Sequence, residues 1–379
     1  MYADRHWRPR SSYSTIKPMI AFNSQFVRRA VLVVALATAI GVAVVQSRPV
    51  DTTPSAPLLA SELAGRAGPA VDPLAPLTYI AFGSCSNTTL PQPLWDPIIA
   101  TNPDLWVWLG DNVYGDTDNM SVMRAKYEDA LAEPGYASLL TQIPVIGTWD
   151  DHDYGSNDAG SDYVARVASQ KEMLDFLGEP LGSDRRSRRG VYASYVYGEA
   201  PTQTKIILLD ARYHRSDPGP DGDVLGEEQW AWLEAELTGS EAQLHVIGGG
   251  FQFLPTDHPY EKWANVGQAR ARLSDVINRS GAPGVILLSG DRHISEIMKV
   301  EDAALPYLLY EVTSSGMTHS WSDNPGEANR YRLGELYTEL GFGTLDIDWE
   351  GGQVSLQLRD PSGAVAVEQV VRLEELRAR

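Results

Sequence analysis

A single cysteine, Cys85, among 379 residues excludes any disulfide within the chain and says little about its compartment. Positive charge is also scarce: 31 Lys and Arg stand against 50 Asp and Glu, for a formal net charge of -19. The deficit is uneven, because residues 1–73 hold eight Lys or Arg and four Asp or Glu, which leaves -23 on the remainder. So acidic a body argues against nucleic-acid-specific binding, which relies on basic patches. It admits a phosphate substrate, since bound cations reverse a local field. There is no internal repeat and no coiled-coil pattern, and the uncharged run Ala30–Val45 falls short of the ~20 residues of a membrane span. What remains is 43% apolar residues, enough for one large α/β domain or two ordinary ones.

Six Lys or Arg and one acid precede that apolar run, the order of a signal peptide or N-terminal membrane anchor over residues 1–46. Gly41-Val42-Ala43 offers a small-x-small cleavage site, and Met19 an alternative start. The expectation is export, as a periplasmic, secreted or outward-facing anchored protein; retention would give membrane association through residues 30–45. Residues 47–76, rich in Pro, Ala and Ser, read as a linker before a folded domain at 77–375.

From Leu77 strands and helices alternate. Strands are expected at Leu77–Gly83, Leu105–Leu109, Pro144–Trp149, Val191–Gly198, Lys205–Leu209, Leu244–Gly249 and Gly284–Leu288. Helices are expected at Leu94–Ala100, Met120–Ala132 (stopped by Pro134-Gly135), Ala168–Leu177, Gly226–Leu237 and Ala269–Asn278. A tail of strands follows, at Leu308–Thr313, Gly343–Trp349 and Gln353–Arg359, with a Gly351-Gly352 hairpin turn. The pattern predicts a two-layer β core flanked by helices.

The chain turns on Asp104–Asp116, where the apolar strand Leu105–Leu109 stops at Asp111. Ligands in open α/β sheets sit at such carboxyl ends. Three further clusters follow strands in the same way: Cys85; Asp150, Asp151 and His152; and Asp291 with His293. Each alone has an ordinary reading as a buried thiol, a turn or a hydrogen-bonded loop pair. Four together point to a metal site.

Thiolate, the Tyr114 phenolate and imidazole favour a Lewis-acidic transition metal, with iron(III) the natural match for phenolate. The carboxylates of Asp151 and Asp291 favour Ca²⁺ or Mn²⁺, and Asp111 has oxygens enough to bridge both ions. Two ions ~3.5–4 Å apart clamp a phosphoryl oxygen and turn water into hydroxide near neutral pH. His152 is placed to protonate a leaving alkoxide or hold the phosphate, or else to orient Asp151. Arg212, His214 and Arg215 could reach a phosphate, though surface salt bridges are the expectation; Arg185–Arg189 reads as a solvated basic loop. Trp263 and Trp321 fit either pocket lining or core packing.

Phe82-Gly83-Ser84-Cys85, Leu109-Gly110-Asp111-Asn112-Val113-Tyr114, Thr148-Trp149-Asp150-Asp151-His152-Asp153-Tyr154-Gly155 and Leu288-Ser289-Gly290-Asp291-Arg292-His293 resemble, in order, the motifs of PhoD-like alkaline phosphatases, a branch of the calcineurin-like metallophosphoesterases. Leu209–Tyr213, Gln229–Leu233, Trp263–Asn265 and Thr313-Ser314-Ser315-Gly316 match as well. The Gly-Asp-x-x-Tyr spacing is also similar to that of purple acid phosphatases. The resemblance covers roughly residues 77–360 and implies a four-layer αββα sandwich with mixed β-sheets around a dinuclear centre, often iron(III) with calcium or manganese. By position it places Cys85, Asp111, Tyr114 and His293 on the iron-like ion and Asp111, Asp151 and Asp291 on the second, with Asp150 and Asn157 as further candidates.

The activity this implies is hydrolysis of small-molecule phosphate monoesters, with diesters as a second class of substrate. Alternatives are a phosphodiesterase of phospholipase D type, a non-catalytic module that retains metals for structure, and a single-iron redox site using Cys85, Tyr114 and His293.

Overall fold

The computed structural model describes residues 55–302 and 305–378; the segment expected to be a signal peptide or anchor lies outside them. No described helix is long and apolar enough to cross a membrane. Of the expected linker, residues 55–76 run against the body. They form the single turn α1 (Ala60–Leu63), bury Leu63, and accept hydrogen bonds from Val145 and Gly198 on the carbonyls of Ala67 and Pro73.

The body begins with β1 (Tyr79–Gly83), α2 (Trp95–Ala100), β2 (Leu105–Leu109) and α3 (Met120–Ala132), the last capped by Asn119, which accepts from the Ser121 N–H. Pro134-Gly135 does more than stop that helix. Proline needs no hydrogen-bond acceptor in a first turn, and α4 (Pro134–Leu140) starts there under a Glu133 cap on the Tyr136 N–H at 2.7 Å. Next come β3 (Val145–Thr148), α5 (Asp151–Tyr154), α6 (Arg166–Phe176), β4 (Ala193–Tyr197), β5 (Thr204–Leu208), α7 (Gly226–Leu237), β6 (Leu244–Gly248), α8 (Ala269–Ser280) and β7 (Val285–Ser289). The chain closes with β8 (Ser295–Val300), β9 (Leu309–Ser314), β10 (Arg332–Tyr337), β11 (Phe342–Asp348), β12 (Gln353–Arg359) and β13 (Val365–Arg372).

Two mixed sheets result, ordered β13-β12-β11-β1-β2-β3 and β10-β8-β9-β7-β6-β5-β4. β1, β2 and β3 run parallel in the first, and β5, β6, β7 and β9 in the second. Alternation along β2 shows why its residues are all apolar. Leu105, Val107 and Leu109 pack in one core with Ile206, Val246 and Leu288 of the second sheet, while Trp106 and Trp108 face Trp95, Tyr127 and Tyr136 of the helical layer. A strand covered on both faces has no polar side to offer. Trp230, Leu233, Leu273 and Ile277 of α7 and α8 join the core on the second sheet, which completes an αββα sandwich.

Candidate metal centre

Cys85, Asp111, Asp150 and Asp291 each stand two residues past the end of a strand, β1, β2, β3 and β7 respectively. Four of the sequence-selected residues carry left-handed backbone: Cys85 at φ 63°, Asp111 at 49°, Asp291 at 68° and His293 at 52°. Non-glycine residues in that region are uncommon and cost of order 1–3 kcal/mol each unless the surroundings fix them. Here the surroundings do so. The Cys85 and Ser86 N–H groups donate to the carbonyls of Gly110 and Asp111, and Gly290 donates to Gly250. The loops approach so closely that a Cβ on Gly110 (φ 96°) would lie 2.4 Å from that of Asp150, and one on Gly290 2.4 Å from Ser84 Oγ.

The side chains of these loops converge. Donor atoms of Cys85, Asp111 and His293 lie within 4.8 Å of one another, as do those of Asp111, Asp151 and His152 and those of Asp150, Asp151 and Asp291. The Tyr114 hydroxyl is 2.9 Å from His293 Nε2, which puts it with the first group. Asp111 therefore belongs to two groups and touches the third through Asp151. His152 donates its backbone N–H to Asp111 at 3.2 Å, and its Nδ1 pairs with Asp116 Oδ1 at 2.7 Å. Asn157 is exposed; its neighbour Asp158 donates its backbone N–H to Asp151 at 2.6 Å and groups with Asp151 and Glu261.

Charge at the centre is lopsided. Asp111, Asp150, Asp151, Asp153 and Asp291 gather near Glu261, and Arg212 and Arg215 form ion pairs with Asp150 and Glu261 among them. Burial, then the neighbouring Asp151 and Cys85, push the Asp111 carboxyl well above its ordinary value. Burial and the Asp151 and Glu261 charges push Asp291 up to about 8. Burial also pushes the Asp150 carboxyl well above its ordinary value, and Arg212 only partly offsets it. Burial opposes ionisation of Asp151 too, but Arg212, His152 and the Asp158 N–H outweigh it and hold this carboxyl low. Desolvation pushes the Cys85 thiol up to about 11, and burial beside His319 and His152 lowers His293 to about 3, so it stays a neutral imidazole. Burial would lower His152 likewise, yet its bond to Asp116 and the charges of Asp111 and Asp151 raise it to about 10. Asp150 Oδ2 is buried with no hydrogen-bond partner. Soft and neutral donors on one side, an excess of buried carboxylate on the other and an orphaned oxygen form a donor set that fits two cations.

Some neighbours have roles that the sequence alone did not assign. Asp153 accepts from the backbone of Asp111, Asn112 and Asp150 and from Asn112 Nδ2, pinning the loops after β2 and β3 together. Its spacing from Asp150 is that of a capping pair, which was the available clue. Arg212 and Arg215 depart from the surface salt bridges expected of them. Both are buried: Arg212 pairs with Asp150 at 2.5 Å and Glu261 at 2.6 Å, and Arg215 pairs with Glu261. Arg185 and Arg186 likewise are no solvated loop; they hold the carbonyls of Val191, Gly147 and Glu179 and the Asp175 carboxylate. Trp263 is core, packed on Trp230 and Phe253. Trp321 flanks the centre, donating its backbone N–H to the His293 carbonyl at 2.7 Å. His319 was missed; its ring lies 4.3 Å from that of His293 and 5.1 Å from that of Tyr114.

A two-sheet αββα sandwich with convergent metal-ligand types at its strand ends defines the metallophosphoesterase class of hydrolases. Residues 80–332 match the profile of the PhoD-like phosphatases, and the chain belongs to that family. The chain is similar in fold to a solved PhoD structure, with a TM-score of 0.67 and 17% identity over 82% of this chain and 73% of that one. A purple acid phosphatase from yellow lupin (Lupinus luteus) seeds aligns with a TM-score of 0.57 at 11% identity, covering 79% and 54%. A dimetal phosphatase from Danio rerio aligns with a TM-score of 0.52 at 13% identity, covering 79% and 99%. No curated protein matches the chain in sequence. The protein is thus a phosphoester hydrolase of the metal-dependent kind, acting on small-molecule phosphoesters.

Proposed function

We propose that the enzyme hydrolyses phosphate monoesters, and diesters as a second class, at a dinuclear centre in which Asp111 is shared. Cys85, Tyr114, His293 and Asp111 would hold the first ion, iron(III) by the softness and phenolate character of the set; Asp111, Asp151 and Asp291 would hold calcium or manganese. Bound there, the ions supply Lewis acidity to the phosphoryl oxygens and to the attacking water. The single observation behind this is the convergence of three donor groups through Asp111 and Asp151.

The chain's own residues then have distinct tasks. Asp151 is kept anionic by Arg212 and the Asp158 N–H, so it is ready as a ligand. Asp153 fixes the spacing of the ligand loops through their backbone. His152 is anchored at Nδ1 by Asp116, which leaves Nε2 for substrate. As water forms the new P–O bond and the ester P–O bond breaks, Nε2 gives its proton to the departing alkoxide oxygen. Asp111→Asn should empty both positions and abolish turnover; full activity in that variant would end this reading. Rates on p-nitrophenyl phosphate against bis-p-nitrophenyl phosphate rank the two substrate classes.

Export is part of the proposal, supported by the basic segment followed by the apolar run Ala30–Val45. Cell fractionation with sequencing of the mature N-terminus tests it; full-length protein in the cytoplasm would refute it.

A further inference from the structure

Ser315 stands one residue past β9, completely buried, inside the Thr313–Gly316 motif to which no task has been given. Its Oγ lies 3.0 Å from Cys85 Sγ and 2.6 Å from the backbone nitrogen of His293. An N–H can only donate, so Ser315 Oγ accepts from His293 and its own hydrogen is available to the sulfur. The other nearby serine is already committed: Ser84 Oγ donates to the Ser314 carbonyl at 3.1 Å, although it lies 3.4 Å from Sγ. Tyr114, a ligand in the proposed centre, has no hydroxyl hydrogen once it binds as phenolate. Among the described residues, the Ser315 hydroxyl is therefore the one outside the ligand set placed to donate to the sulfur. Ser315 is itself held, with its N–H on Ser295 Oγ at 3.2 Å and its carbonyl accepting from the same hydroxyl at 3.4 Å.

We propose that Ser315 is a positioning residue for the metal centre, which fixes Cys85 against His293 and sets, through an O–H···S hydrogen bond, how strongly the Cys85 thiolate donates to its metal. The inference rests on Cys85 and His293 being ligands. Hydrogen bonds to a ligating sulfur draw electron density from it and tune the metal, and such outer partners typically matter ~10–100-fold in metal affinity.

The test uses the full chain loaded with Co²⁺ alone and reads the near-ultraviolet thiolate-to-cobalt band. Cys85→Ser should lose the band. Ser315→Ala should keep it but move it to longer wavelength, since a thiolate without the hydrogen bond gives up its electron more easily, with cobalt binding weakened by about tenfold. Ser315→Thr should restore the wild-type position, and Ser315→Cys, a weaker donor, should fall between. That series also decides the matter if Ser315→Ala fails to fold. If Cys85→Ser abolishes the band while the Ser315 variants leave its position and the affinity unchanged, the role of Ser315 is refuted and the centre stands. If Cys85→Ser retains the band, both fall.

Discussion

The two halves of the centre are built on opposite electrostatic plans. Around Cys85, Tyr114 and His293 the donors are neutral without metal: burial holds the thiol and phenol protonated and the imidazole uncharged. Around Asp150, Asp151 and Asp291 the donors are carboxylates, and Arg212 and Arg215 stand behind them, paired with Asp150 and Glu261. Metal binding in the first half must displace protons from the thiol and phenol; in the second it would displace them from the raised Asp150 and Asp291 carboxyls and relieve their repulsion with the anionic Asp151. On the proposed reading, the acidic half gains more stability from a bound cation than the neutral half does.

The largest effect should come from the residue that erases the distinction. Asp111→Asn joins neither half properly, and turnover should drop by at least ~10²–10³, the loss that follows removal of one strong electrostatic group from a site. Steady-state kinetics beside metal content checks this. His152→Ala belongs to neither half and should leave both metals in place while slowing hydrolysis of alkyl phosphates by ~10²–10⁴, the range for a lost general acid. Because p-nitrophenolate leaves without a proton, the same variant should lose far less on the aryl ester; equal losses on both would deny His152 the protonating task.

Arg212→Met sharpens the comparison through stability. It strands Asp150 as a buried, unpaired carboxylate and leaves Glu261 with Arg215 alone, a change that costs about 3–5 kcal/mol. Added Mn²⁺ or Ca²⁺ should recover part of that loss in thermal melts, and equal melting with and without the ion would contradict the account of the acidic half. The smallest effect lies outside both halves. His245, wedged between the Pro283 carbonyl and Ser240, is lowered to about 4 by burial. Between that value and ~6.5 the unfolded chain binds the extra proton and the folded one does not, so stability falls as pH drops through this window, by at most about 3 kcal/mol. His245→Gln should flatten that limb of a pH-dependent denaturation series without altering metal content.

Much of this was legible in the sequence where one physical rule dominated. β2 and β7 are apolar because both faces are covered, and each ends abruptly at its ligand loop. β8 was not foreseen, because Glu296 and Lys299 break the apolar pattern; Glu296 is buried all the same, paired at 2.5 Å with Arg332 of a strand 32 residues further on. The edges β10 and β13 give no clean alternation because neither of their faces is fully covered: β10 has no buried residue and β13 only Val371. The candidate clusters could be located from their place after strands, and the structure brings their side chains together. The pairing of Arg212 could not be read in advance, since its partners Asp150 and Glu261 lie 62 and 49 residues away. Ser315 was visible only as part of a motif; that it reaches both Cys85 and His293 depends on β9 lying beside β7 and β8, which no local pattern encodes.

Elemental analysis of the purified protein beside Cys85→Ser and Asp291→Asn tests the shared two-ion centre most directly. The account predicts two metals per chain in the parent, loss of the transition metal with retention of the second ion in Cys85→Ser, and the reverse in Asp291→Asn. One metal per chain in the parent, or the same ion lost from both variants, would contradict it.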